Sequence, residues 1–86
     1  MIAAPSPSSV ERMFEELLAG RLSREEADRW AAHWVCAPVP PQMHPVIWRA
    51  LTRLFGCDLR HASGADYLHD DEQIAQWLAE FREDSQ

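Results

Sequence analysis

The 86-residue sequence contains no lysine, only three glycines and two cysteines, and no long hydrophobic run. No stretch approaches the roughly 18 apolar residues that cross a bilayer, and the N-terminus has no signal-peptide pattern. All eight basic side chains are arginine and the formal net charge is −6. This charge argues against nucleic-acid binding, because affinity for phosphates comes mainly from Lys and Arg. We therefore expect a cytoplasmic protein that binds neither a membrane nor a nucleic acid.

The composition, with 47% hydrophobic and 26% charged residues, is ordinary for a globular protein. The three glycines and six prolines all lie outside the segments with helical periodicity, and they divide the chain into four helices. The chain is too short for two independent cores. The sequence therefore predicts an all-α, small four-helix bundle-like single domain over residues 9–84, after a flexible lead-in over residues 1–8.

Two capping boxes predict the starts of the first two helices. Ser8 with Glu11, and Ser23 with Glu26, have the spacing at which hydroxyl and carboxylate satisfy each other's free backbone N–H groups. Gly20 can end the first helix in a left-handed conformation. The apolar stripes predicted to face the core are Val10, Met13, Phe14, Leu17 and Leu18 in the first helix and Ala27, Trp30, Ala31 and Trp34 in the second.

The second half of the chain predicts two more helices. Residues 37–44 form a proline-rich linker that cannot continue a helix, and the third helix follows from Pro45 to Phe55. Residues 57–69 form an irregular loop before the fourth helix, which could contain a short helical turn or a small hairpin. Asp70 caps the last helix, whose inner stripe is Ile74, Trp77, Leu78 and Phe81.

The arginines are expected to pair with carboxylates. Glu25 precedes Arg29 in the favourable i,i+4 order, and Arg49 and Arg53 are predicted to pair with carboxylates of the first or last helix. The tract 22–27 resembles the first helix of helix-turn-helix domains. A nine-residue proline-rich segment and a mostly apolar helix follow it, which again argues against DNA binding.

No catalytic or metal site is predicted. His33, Cys36, Cys57 and His61 could make a Cys2His2 set, but their spacing matches no recognised finger. A Cys36–Cys57 disulfide is the second alternative, and free thiols are favoured. Most of the serines are predicted to be helix N-caps, and no candidate nucleophile has a base that a third group orients. We therefore expect that the protein is not an enzyme and has no cofactor.

Residues 70–86 carry six carboxylates against one arginine, so five of the six net negative charges lie at this end. The run 64–82, from Asp66-Tyr67 into Trp77-Leu78, resembles small bacterial immunity proteins, which antagonise polymorphic or contact-dependent toxins. The resemblance implies a non-enzymatic inhibitor that covers a basic toxin domain with its acidic helix. The partner-binding residues of this hypothesis are Tyr67, Asp70, Asp71, Glu72, Glu80 and Glu83.

An alternative function is a self-associating structural or regulatory module. Trp48 flanks the apolar arc of the third helix, and tryptophan is enriched in interface hot spots. The alternative predicts a homodimer through Trp48, whereas the inhibitor hypothesis predicts a monomer that binds a basic protein.

Overall fold

The structure is a computed structural model that describes residues 3–38, 41–57 and 70–85. Over these residues the chain forms four helices: α1 Pro7–Leu18, α2 Arg24–Val35, α3 Pro45–Leu54 and α4 Asp71–Asp84. Within the described ranges there is no strand, and none of the helices is long and apolar enough to cross a membrane. The prediction of an all-α fold is confirmed.

The first helix begins earlier than the Ser8–Glu11 pattern predicts. Ser6 is its N-cap, and the Ser6 hydroxyl accepts a hydrogen bond from the Ser9 backbone N–H at 3.1 Å. Pro7 then takes the first helical position, where its missing N–H is not needed and its fixed φ suits the helix. The proline therefore decides the start, and α1 begins inside the predicted lead-in.

The caps of the second and fourth helices are confirmed. Ser23 and Glu26 form a reciprocal capping box, with bonds of 3.0 and 3.2 Å. The Asp70 carboxylate accepts a bond from the Gln73 N–H at 2.9 Å. Since both caps satisfy backbone donors that the helices leave free, they fix where each chain segment enters its helix.

The third helix ends one residue before the predicted boundary. Phe55 is its C-cap with an extended backbone, and Gly56 follows at a φ of 92°. This left-handed conformation suits glycine, which has no Cβ to clash. The three forms considered for residues 57–69 fall outside the described residues, except at Cys57, which is buried.

The core joins all four helices. α1 packs mainly against α4 and α2 mainly against α3, while α3 also contacts α1 and α4. Phe14 of α1 is fully buried, and its ring lies 6.3 Å from that of Phe81 in α4. Burial of each such side chain contributes about 1.5–3 kcal/mol. The core contains Val10, Phe14, Leu17, Ala27, Ala31, Trp34, Ile47, Ala50, Leu51, Leu54, Cys57, Ile74, Trp77, Leu78 and Phe81.

Candidate functional site

The arginines of residues 3–38, 41–57 and 70–85 separate into those that pair with carboxylates of the same chain and one that has no carboxylate oxygen within 4.0 Å. Six of the seven arginines in the described ranges have a carboxylate oxygen within 4.0 Å. The pairs are Arg12–Glu16 at 3.9 Å, Arg21–Glu16 at 2.6 Å, Arg24–Asp71 at 2.9 Å, Arg49–Asp84 at 3.5 Å, Arg53–Glu80 at 2.6 Å and Arg82–Glu11 at 2.6 Å. The predicted pairing of Arg49 and Arg53 with the last helix is confirmed.

Arg29 is the remaining arginine of the described ranges, and it is exposed on the outer side of α2. The predicted Glu25–Arg29 ion pair is not formed, although both side chains lie on α2 at i,i+4. Glu26, one turn before Arg29, is occupied because its carboxylate accepts the Ser23 backbone N–H at 3.2 Å. The hydrogen bonds from Ser23, and to a smaller extent the charge of Arg29, lower the pKa of Glu26 below its ordinary value. The Arg29 guanidinium, with no carboxylate oxygen within 4.0 Å, can still bond to an external anion.

A shallow open groove of about 560 Å³ lies beside Arg29. Its lining consists of Glu26, Arg29, Trp30, His33 and Trp34. Trp30 is partly buried and His33 is exposed. Since Arg29 and His33 are four residues apart on one helix, their side chains are neighbours on its surface, and Trp30 lies beside them. We call Arg29, Trp30 and His33 the Arg29 face.

The aromatic rings of this groove contact one another, and one of them is bonded to the backbone of Ala3. The Trp30 and Trp34 rings meet edge to face, 4.8 Å apart at 69°, and the His33 ring meets Trp34 at 5.0 Å and 88°. The Trp34 indole N–H donates to the Ala3 carbonyl at 2.7 Å. Trp34 is buried, so it forms a fixed base for the two rings of the Arg29 face.

The negative charge is concentrated elsewhere. Helix α4, which belongs to the acidic end of the chain, packs against α1 and α3 and does not pack against α2. The two helices approach at their starts, where Arg24 pairs with Asp71. His33 lies nine residues further along α2, about 13 Å along the helix axis. This exceeds the Debye length of about 8 Å at physiological ionic strength, so the acidic helix affects His33 weakly, whereas Arg29 lies only about 7.5 Å from Arg24 along the axis.

The structure places the predicted partner-binding residues apart from this face. Tyr67 lies outside the described residues. Asp70 caps α4, Asp71 pairs with Arg24 and Glu80 pairs with Arg53, so these three carboxylates have partners within the chain. Glu72 and Glu83 are exposed on α4. Three carboxylates of the predicted acidic surface therefore serve internal contacts.

Trp48 is 36% exposed on α3, and Phe55 is 39% exposed one residue beyond that helix. A second open groove, about 450 Å³ in volume, lies beside Trp48 and the linker residues Pro41 and Met43. Phe55 was not singled out by its sequence position, because the periodic pattern placed it on the buried arc. Its extended C-cap backbone turns it away from the helical pattern.

Cys36 is exposed and Cys57 is buried, and no disulfide joins them, as the sequence favoured. Among the described residues no group of three or more His, Cys, Asp or Glu side chains could hold a metal ion. His61, the fourth member of the set considered from the sequence, lies outside these ranges. The arrangement that remains is the Arg29 face, a cation beside an indole and an imidazole, which suits an anion with an aromatic ring.

Comparison with known proteins gives a family match over most of the chain. The family described as YxzC DNA-binding protein matches residues 6–81. An uncharacterized protein YxzC from Bacillus subtilis (strain 168) is 32% identical over 69 residues, which cover 80% of this chain and 56% of the relative. The chain thus spans little more than half the length of this curated relative. No solved structure matches.

These findings correct the functional predictions from the sequence. The immunity-protein resemblance, and with it the toxin-inhibitor function and the basic protein partner, are wrong, because the matched family is described as DNA-binding. The self-associating alternative gains no support from the family either. The exclusion of nucleic acid is also wrong. This exclusion relied on the net charge of the whole chain. The net charge does not show that the charges of six arginines and their carboxylates cancel within local ion pairs.

Proposed function

The chain belongs to the YxzC family, and from this premise we propose that it binds DNA and that the Arg29 face contacts it. The observation that carries the choice of surface is the state of Arg29. Among the arginines of the described ranges it has no carboxylate oxygen within 4.0 Å. A phosphate can therefore approach it without displacing an internal ion pair.

The chemistry of the face supports this choice. A guanidinium presents a planar fork of donors that matches phosphate oxygens, and its charge-assisted hydrogen bonds are about twice as strong as neutral ones. The His33 imidazole can donate a further N–H from the same side of α2. Of the carboxylates on this helix, Glu25 and Glu26 lie toward the start of α2, and Asp28 accepts the Gly56 N–H at 2.6 Å.

The proposal describes a binding protein without catalytic activity, located in the cytoplasm. The Arg29 face joins a cation, an indole and an imidazole but no nucleophile with an oriented base, which a covalent mechanism requires. Because the chain spans 56% of the relative, this role concerns the domain formed by residues 6–81.

The experiment that tests the proposal measures fluorescence anisotropy of labelled DNA, single-stranded and duplex, from about 50 mM to about 200 mM salt. Arg29→Ala should weaken binding by about tenfold at low salt and reduce the salt slope by about one unit, since one phosphate contact is lost. Arg12→Ala is the matched control. It removes the same charge from a side chain that is 79% exposed on α1, and it should leave affinity nearly unchanged.

Absence of binding to either form of DNA at about 50 mM salt would refute the proposed function. Equal losses for Arg29→Ala and Arg12→Ala would refute the choice of surface. Circular dichroism of both variants should show unchanged helicity, because neither side chain is buried.

A further inference from the structure

We infer that the Arg29 face binds an unpaired nucleotide of single-stranded DNA, with its base stacked on Trp30 and its phosphate on Arg29. The inference rests on the proposed function for its choice of DNA as the polymer. It adds which form of DNA the face accepts and which side chain holds the base.

The small number of available cations is the first reason. Proteins that bind duplex DNA through charge typically neutralise about 6–10 phosphates. In the described ranges the Arg29 face has one arginine without a carboxylate partner, and His33 beside it. Glu25 and Glu26 on the same helix would repel a second line of phosphates. A duplex thus meets more repulsion than a single strand, whose affinity depends less on each phosphate.

The partly exposed indole of Trp30 is the second reason. A base inside a duplex has both faces covered by its neighbours, so only an unstacked base can lie flat on an aromatic side chain. Trp30 lines the groove, and its edge-to-face contact with the buried Trp34 ring at 4.8 Å holds its orientation. The platform is thus ordered before the ligand arrives, which reduces the entropy lost on binding.

The third reason is that the polar groups lie beside the indole. Arg29 adjoins Trp30 in the chain, and His33 is one helical turn further on. A base on Trp30 would therefore carry its own phosphate or the next one within reach of these donors. The groove volume, about 560 Å³, is within the range of about 300–1,000 Å³ that binds small molecules, so it has room for one nucleotide.

The test compares three probes with the intact chain at about 50 mM salt: an oligothymidine, an abasic strand with the same number of phosphates, and a duplex of equal length. We expect the oligothymidine to bind most tightly. Trp30→Leu should weaken oligothymidine binding by about tenfold and leave abasic-strand binding unchanged, because it removes the aromatic face and keeps an apolar side chain. Trp30→Phe should retain most of the affinity, since it keeps an aromatic face.

Trp48→Leu is the matched control, because it removes an exposed indole from α3. It should leave binding of all three probes unchanged. A thermal unfolding temperature of Trp30→Phe close to that of the natural protein would show that the groove is intact. A loss of oligothymidine affinity in Trp30→Leu that is absent in Trp30→Phe would then be due to lost stacking.

The outcomes separate this inference from the proposed function. Duplex binding that is tighter than oligothymidine binding and is lost in Arg29→Ala would overturn the inference and leave the proposed function standing. Equal affinity for the oligothymidine and the abasic strand would also overturn the inference, because the base would then contribute nothing. If none of the probes bound, both would fall.

Discussion

At the scale of single residues, Arg24 makes the most consequential contact that its sequence position did not reveal. It is the first residue of α2, and its side chain is buried. Its guanidinium donates to the Cys57 carbonyl at 3.1 Å and to the Asp71 carboxylate at 2.9 Å, while the Cys57 thiol donates to the Arg24 carbonyl at 3.5 Å. Arg24 therefore ties the start of α2 to the residues on both sides of segment 58–69.

We predict that Arg24→Ala lowers the free energy of unfolding by about 2 kcal/mol, because it removes two charge-assisted hydrogen bonds, one of them to the buried Cys57 carbonyl. Asp71→Asn should cost less than about 1 kcal/mol, since the Asp71 side chain is 79% exposed and its charge is solvated. Urea unfolding followed by circular dichroism gives both values. Equal costs for the two variants would show that the exposed ion pair, and not the buried guanidinium, is what matters.

At the scale of elements, the capping box at the start of α2 determines how the helix that carries the Arg29 face begins. The Ser23 backbone N–H bonds to the Glu26 carboxylate, and the Ser23 side chain also contacts it, which together lower the pKa of Glu26 below 4.5. A carboxyl whose pKa is lower in the folded state stabilises the fold above its unfolded pKa, and this contribution disappears as the pH falls through the folded value.

We predict that Glu26→Gln reduces the pH dependence of stability below about pH 5. Glutamine can still accept the Ser23 N–H, so the box keeps its shape but no longer titrates. Urea midpoints at pH 7 and about pH 3.5 should show a larger fall for the natural protein than for the variant. Equal falls in the two proteins would mean that the capping box does not lower the pKa of Glu26. Glu25→Gln, which changes the neighbouring exposed carboxylate, is the control.

At the scale of the whole molecule, charge is sorted between surfaces. Arg24, Arg49 and Arg53 pair with Asp71, Asp84 and Glu80, so half of the six carboxylates at the acidic end of the chain are paired within the structure. Helix α2 does not pack against α4. A chain with net charge −6 can therefore present an arginine that has no carboxylate oxygen within 4.0 Å, in a groove that Glu26 also lines.

We predict that Glu25→Gln raises the affinity for single-stranded DNA about threefold at low salt. Removing a charge about 6 Å from the bound phosphate in water is worth about 0.7 kcal/mol. Glu83→Gln makes the same charge change on α4 and should raise affinity by less than about 1.5-fold, because it lies about 18 Å along α4 from Asp71, where this helix meets the start of α2. The comparison is made by anisotropy titration, and equal gains would show that net charge, not local charge, controls binding.

The sequence was sufficient to predict most of the fold. Gly20 and Gly56, both at positive φ, end α1 and follow α3, and the Ser23 and Asp70 caps start helices where their spacing places them. These are contacts within a few residues, so a local pattern contains them. The errors at Ser8 and Phe55 are also local, and each arises where a proline or a cap residue overrides the periodic pattern.

The candidate site could not be predicted in the same way. Arg29 had a carboxylate at favourable spacing, and nothing local distinguished it from the other arginines. It stands out because the other arginines of the described residues have carboxylate partners, Arg24 with Asp71 47 residues away and Arg82 with Glu11 71 residues away. Trp30 and His33 appeared as a core residue and a possible metal ligand, and neither pattern indicates a shared groove.

The sequence by itself determined that this protein is a small helical domain with a strongly acidic end, because helix boundaries, inner stripes and charge totals depend on near neighbours and composition. Only the tertiary structure decided which charges cancel. Ion pairing depends on distances of about 4 Å between side chains that are remote in the chain, and the packing of α4 on α1 and α3 sets those distances. This packing pairs carboxylates of α4 with arginines of α3, and it leaves Arg29 able to bond to an anion.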